Sequence, residues 1–340
     1  MTEWVCPVCG QKNEHHFICV ECGFDESKNY ARYPSLAGVP KQALAGVFRR
    51  KAAEKEENDP FRELSLLFMK AEQGDAEAQR LVADCYLYGE GLKQSDEEAA
   101  KWYRRAAERG DGEAQNNIGL LLATGRGVPK NNAEAVIWYR KAAEQGFVVA
   151  ESNLGNSYFY GRGVEKDYPE AVRWYGKAAE KGYAKAQYHL GLCYEEGLGI
   201  EKDPKLAVFW YRKAAFSGNA GAQNNLGNCY INGIGVEKNY SEAMAWYRKA
   251  ADQGESASQY NLGNSYFYGR GVEKDYQEAV KWYWKAAQAG ESNAQNNIGH
   301  CLANGIGVPV NKEEAIRWFQ KSADQGNERA KENLIKMRGK

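Results

Sequence analysis

The chain has 340 residues, 43% of them apolar, with 45 Lys and Arg against 45 Asp and Glu. This length supports a sizeable core. The zero net charge argues against nucleic acid or an anionic membrane as the main partner, because both draw on an excess of positive charge. No apolar run approaches the roughly 18 residues of a membrane span, and Met1-Thr2-Glu3-Trp4-Val5-Cys6 lacks the basic and apolar regions of a signal peptide. A soluble, cytoplasmic protein is expected.

Residues 1–23 read as a metal-bound module. Cys6-Pro7-Val8-Cys9-Gly10 and Cys19-Val20-Glu21-Cys22-Gly23 form two C-x2-C pairs separated by nine residues. In each, the Gly lets the backbone curl and turn its N–H groups toward the sulfurs. Four thiolates close a tetrahedral Zn2+ site with no open position, so Cys6, Cys9, Cys19 and Cys22 are expected to hold a structural zinc ion. About 23 residues make no core unaided, so zinc is expected to be needed for folding. The rivals are a disulfide pair, disfavoured in a reducing compartment, and ligation by His15 or His16, although both knuckles are complete without them. The segment resembles the short zinc ribbons at the start of many bacterial multi-domain proteins, some of which bind nucleic acid. Here Lys12 is the only Lys or Arg before Lys28, against Glu3, Glu14 and Glu21. A folding or docking knob is therefore preferred.

Residues 24–59 join this module to the rest. Tyr33-Pro34, Gly38 and Pro40 break structure early, and residues 41–57 have a helical pattern with Ala43, Val47 and Phe48 on one side. This stretch is taken as a linker with a candidate docking helix.

Residues 60–340 are periodic. Gly-x-Gly recurs at Gly89/Gly91, Gly125/Gly127, Gly161/Gly163, Gly197/Gly199, Gly233/Gly235, Gly269/Gly271 and Gly305/Gly307, always 36 residues apart, and Trp keeps the same step from Trp102 to Trp318. A fixed period of this size means a solenoid. Within one period, Ala150, Leu154, Ser157 and Tyr158 form one helical stripe and Ala171, Trp174, Tyr175, Ala178 and Ala179 a second. Helix A is predicted over 147–160 and helix B over 168–180, joined by a loop that needs the φ freedom of Gly. A Gly inside helix A, such as Gly155, costs about 1 kcal/mol against Ala. Its recurrence implies that a neighbouring helix packs against bare backbone there. A lone helix B (60–74) and a lone helix A (327–338) read as caps around seven repeats (about 75–326).

Leu154-Gly155-x-x-Tyr158, Gly161-x-Gly163-Val164, Asp167-Tyr168, Glu170-Ala171, Trp174-Tyr175 and Lys177-Ala178-Ala179 resemble the Sel-one-like repeat, a 36-residue relative of the tetratricopeptide repeat. The resemblance implies an all-α right-handed superhelix with helices A on the concave side, and a scaffold or adaptor role rather than catalysis.

The sequence lacks His-Glu-x-x-His, Gly-x-Ser-x-Gly, Ser-x-x-Lys and Gly-x-x-x-x-Gly-Lys. Cys85, Cys193, Cys229 and Cys301 share one helix-A column with Leu121, Ser157 and Ser265, so they read as packing residues. A polar stripe lies opposite the core stripe: Asn153, Asn156 and Tyr160; Asn225, Asn228 and Asn232; Asn261, Asn264 and Tyr268; Asn297, His300 and Asn304. Asn offers both donor and acceptor, so the stripe is a candidate site for an extended peptide. The first column, from Asn117 to Asn333, reads equally well as inter-repeat hydrogen bonding. Phe209 and Phe216, at positions polar in most other repeats, suggest either a contact site or packing against the linker helix. Segments 153–179 and 261–287 agree at 24 of 27 positions, which would offer a long ligand two near-equal subsites. The expectation is a non-enzymatic adaptor for a protein or peptide. The alternatives are a nucleic-acid-associated regulator acting through the ribbon and, third, a hydrolase.

Overall fold

The computed structural model describes residues 60–338 and two short strands, β1 (Trp4–Val5) and β2 (Lys12–Asn13). The strands pair antiparallel, Trp4 opposite Asn13 and Val5 opposite Lys12. Cys6, Cys9, Cys19, Cys22 and residues 24–59 lie outside the described residues.

The rest is helical. α1 (Pro60–Glu72) is the solitary helix B. Helices A are α2 (Ala76–Tyr88), α4 (Gly112–Thr124), α6 (Val148–Tyr160), α8 (Ala184–Glu196), α10 (Ala220–Asn232), α12 (Ser256–Tyr268) and α14 (Ser292–Asn304). Helices B are α3 (Asp96–Glu108), α5 (Asn132–Glu144), α7 (Tyr168–Glu180), α9 (Pro204–Phe216), α11 (Tyr240–Asp252), α13 (Tyr276–Gln288) and α15 (Lys312–Asp324). α16 (Glu328–Arg338) is the final helix A.

Local chemistry sets these ends. Asn219 caps α10 and Asn239 caps α11, each side chain accepting an N–H of the first turn. At the other end of α10, Gly233 adopts φ 71°, and the N–H groups of Gly233 and Ile234 both bond to Cys229 O. The second Gly of the loop has a different cause. A Cβ on Gly235 would lie 2.0 Å from Pro204 O, so the loop presses on the start of the preceding helix B.

The described helices form two compact units, one ending at Asp167 and one beginning at Tyr168. In the first, α1 to α6 stack in chain order; in the second, α7 to α16 do the same. Each is a solenoid stack of helical hairpins. The core of the first unit centres on Val82, Tyr103, Ile118 and Leu122, that of the second on Tyr211, Leu226, Leu262, Tyr283, Ile298 and Phe319, all buried. The helix-A glycine has the close neighbour its recurrence implies. A Cβ on Gly227 would meet the Tyr247 ring at 2.5 Å, and one on Gly263 the Tyr283 ring at 2.4 Å. A helix-B aromatic likewise packs against the helix-A backbone at Gly119, Gly191 and Gly299.

Candidate functional site

The first Asn column ties repeats together. Asn153 Nδ2 donates to Asn116 Oδ1, Asn261 Nδ2 to Asn224 Oδ1 and Asn333 Nδ2 to Asn296 Oδ1, all at 3.0 Å. Asn225 and Asn297 stand beside the hydroxyls of Tyr211 and Tyr283. A parallel glutamine ladder lies deeper. Gln223 Nε2 donates to Ala215 O of the preceding helix B, and its Oε1 accepts from Gln253 Nε2 at 2.8 Å. Gln115 and Gln145, and Gln295 and Gln325, repeat the arrangement. These buried amides satisfy one another, as buried polar groups must.

The second column faces outward but is held from within. The Tyr247 hydroxyl donates to Asn228 Oδ1 at 2.6 Å, and the Tyr283 hydroxyl to Asn264 Oδ1 at 2.7 Å. Asn261 Nδ2 adds a further donor to Asn228 Oδ1 at 3.3 Å. An amide whose oxygen is bound from the core side must turn its NH2 away. Neither Asn228 Nδ2 nor Asn264 Nδ2 has a protein acceptor among the described residues, and neither is sealed from solvent. These two positions therefore show ligand a donor rather than a donor and an acceptor. Asn156 stands at the same position in α6, half-buried. His300, also in this column, is exposed, and its helix B carries Phe319, which has no hydroxyl to offer.

The third column differs again. Asn232 Nδ2 donates to Asn228 O and Asn304 Nδ2 to His300 O, both within their own helix. Tyr160 and Tyr268 stand out as exposed rings, Tyr268 at 56%. Arg162 lies 4.7 Å from the first ring and Arg270 5.1 Å from the second.

In the first unit the outward face is charged. Asp84 takes the place of Asn228 and accepts from Tyr103. Arg80 reaches Asp84 at 3.3 Å, Glu113 at 3.3 Å and Asp111 at 3.5 Å. Burial pushes the Asp84 carboxyl up to about 6, against the lowering pull of Tyr103 and Arg80. In α8 the column holds Leu192, and Tyr211 donates instead to Glu195.

Of the two Phe of repeat 4, Phe216 is 72% exposed and meets the Trp246 ring edge-on at 5.3 Å. It borders a cleft of about 410 Å3 with Arg212, Tyr230, Lys238 and Glu242. Phe209 is exposed, with Lys213 4.7 Å from its ring. The four helix-A cysteines are buried free thiols. Desolvation pushes Cys85, Cys193 and Cys229 up to about 12 and Cys301 to about 11, far from nucleophilic thiolates. His189 is stacked on Tyr175 at 5.0 Å, and burial lowers it to about 4. The orienting tyrosines, Tyr247 and Tyr283, share the column of Tyr175, which the sequence pattern places in the apolar stripe of helix B. The available signal was their spacing, 19 residues after each outward Asn.

Among the described residues no group of His, Cys, Asp and Glu could hold a metal ion. No described helix is long and apolar enough to cross a membrane.

The Sel1 repeat model matches seven consecutive segments, residues 76–111, 112–147, 148–183, 184–219, 220–255, 256–291 and 292–327. No curated protein matches the chain. Among solved structures, a protective antigen of uropathogenic Escherichia coli with an SLR fold is 39% identical, with a TM-score of 0.72 over 81% of this chain. The match spans 59% of that antigen's length. A Sel1 repeat protein from Oxalobacter formigenes is 32% identical, with a TM-score of 0.67 over 86% of this chain and 85% of its own. The segments tile the α2–α15 array hairpin by hairpin, and this chain belongs to the Sel1 repeat family.

Proposed function

We propose that the chain is a non-enzymatic adaptor that binds an extended protein segment along the helix-A face of its repeats. The observation that carries this is the pair of solvent-facing Nδ2 donors on Asn228 and Asn264, one per repeat, with exposed Tyr268 one helical turn beyond Asn264. Such a row repeats along the face as main-chain groups repeat along an extended ligand, and Tyr adds apolar area with a polar tip. If helices A line the concave side, the first and third columns of the second unit (Asn225, Asn261, Asn297; Asn232, Asn304) border this path, and Asn153 and Tyr160 hold the equivalent positions in the first unit. The first column stiffens it.

The test is capture of partners by the intact chain and by a variant with Asn156, Asn228 and Asn264 changed to Ala. The column already tolerates Leu120 and Leu192, so the variant should stay folded, with a melting point within a few degrees. A partner lost from the variant supports the reading. A partner retained at equal affinity by a folded variant sinks it.

The four N-terminal cysteines enter the same proposal as a structural zinc site that adds a second contact or a cap. The donor set fits the metal: four thiolates in two complete pairs. β1 and β2 flank the first pair in sequence.

A further inference from the structure

Resting on the helix-A face as a peptide surface, we infer that its ligand is a proline-rich segment in the polyproline II conformation, read through its carbonyls. The first argument is hydrogen-bond polarity. Tyr247 and Tyr283 occupy the Oδ1 atoms of Asn228 and Asn264, so both amides point donors outward. A ligand matched to them needs acceptors and no donors. A β-strand ligand brings an N–H for every C=O, and those N–H groups find no acceptor in the second column. Proline supplies the carbonyl without the N–H.

The second argument is spacing. α10 and α12 touch directly, because Asn261 Nδ2 bonds to both Asn224 Oδ1 and Asn228 Oδ1. Helices in such contact lie about 8–10 Å apart. A polyproline II helix rises about 3.1 Å per residue with three residues per turn, so equivalent carbonyls recur about every 9 Å. One face of a β-strand repeats about every 6.6 Å and slips out of step after one donor. The third argument is the aromatic wall. Tyr268 lies one turn from Asn264 on the same helix face and is 56% exposed. An exposed ring with a polar tip is the surface on which pyrrolidine rings pack.

Tyr247 and Tyr283 are then positioning residues, and their hydroxyls set the sense of the ladder. Asp84 shows that a carboxylate is accepted at this position beneath a Tyr hydroxyl. The change Asn228→Asp with Asn264→Asp therefore keeps an acceptor for the inner bond, removes the outward donor and adds a charge at each position.

The experiment is fluorescence anisotropy of labelled decaproline titrated with the full chain. Saturable binding is expected, little changed between low and high salt because the donors are neutral. The double Asp variant should bind at least tenfold more weakly while staying folded, with a melting point lowered at neutral pH by the two half-buried carboxylates. Tyr247→Phe with Tyr283→Phe should weaken binding by releasing the amides, and it reports on the same point if the Asp variant does not fold. Absence of decaproline binding overturns the inference, as does binding that neither variant alters. A displayed library of random twelve-residue peptides separates the two readings. Binders lost from the Asp variant, alongside no decaproline binding, overturn the polyproline assignment and leave the peptide surface standing. No binder of either kind overturns both.

Discussion

Asp84 occupies the position that Asn228 and Asn264 hold in later repeats, and burial raises its pKa to about 6. Its unfolded value lies near 4, so between about pH 4 and 6 the native state binds more protons than the unfolded one. Stability contributed by the protonated form is therefore present below pH 4 and is lost as pH rises through 6. Asp84→Asn should remove this loss, because Asn228 already accepts a Tyr hydroxyl in the same geometry. The variant is expected to be more stable than the parent by about 1–3 kcal/mol at pH 7.5, with the difference shrinking toward pH 4.5. Thermal melts at the two pH values check this, and an equal difference at both would refute it. His189 has the opposite sign. Its lowered pKa, about 4, means stability is present above its unfolded value near 6.5 and lost as pH falls. Neither shift was legible in the sequence. Asp84 and His189 occupy positions that hold amides in several other repeats, and their burial depends on residues 19 and 14 positions away, Tyr103 and Tyr175, on neighbouring helices. The Asn columns were legible as columns. Their donor sense was not, because it is set by a hydroxyl on the next helix.

Helix boundaries, by contrast, could be read almost to the residue. Capping side chains and glycines recur at a fixed step, and each acts on its own turn, so no distant contact is needed to place them. The inner glycines were legible as close approaches, but not as contacts with one aromatic ring. That identification makes a test. Gly227→Ala would place a methyl 2.5 Å from the Tyr247 ring, in a core with no slack. Overpacking of this kind costs about 1–3 kcal/mol, against a gain of about 1 kcal/mol in helix propensity. A net loss of up to about 2 kcal/mol is expected in chemical denaturation. Combining it with Tyr247→Leu should recover part of the loss, and no recovery would assign the cost elsewhere. Gly254→Ala differs in kind. Nothing lies within 4 Å of its Cβ, but φ is +88°, so about 1 kcal/mol should be lost through backbone strain alone. No neighbouring substitution should recover it.

At the scale of the whole molecule, the chain divides its chemistry between ends and middle. None of the described residues forms a metal group, while the four remaining cysteines, Cys6, Cys9, Cys19 and Cys22, are clustered within the first 23 residues. The purified chain should carry one zinc ion, measured by elemental analysis. Cys6→Ser with Cys22→Ser should lose the metal and leave the melting of the repeats unchanged, since all four proposed ligands lie in the first 23 residues. Zinc retained by that variant would move the site elsewhere.

The glutamine ladder has a consequence for how such a chain can change. Gln223 grips the carbonyl of Ala215 before it and the amide of Gln253 after it, and Gln115 and Gln295 make the same two bonds. These three seams are interchangeable with one another, whereas Gln79, Gln187 and Gln259 have Arg109, Ser217 and Ala289 in place of the following amide, and their Oε1 atoms have no partner among the described residues. A block of hairpins copied or cut between two of the three meets the same carbonyl and the same amide it would have met in its original place. Length is then free to drift across generations by blocks of hairpins, each one lengthening or shortening the surface offered to a ligand, without any new joint having to be invented.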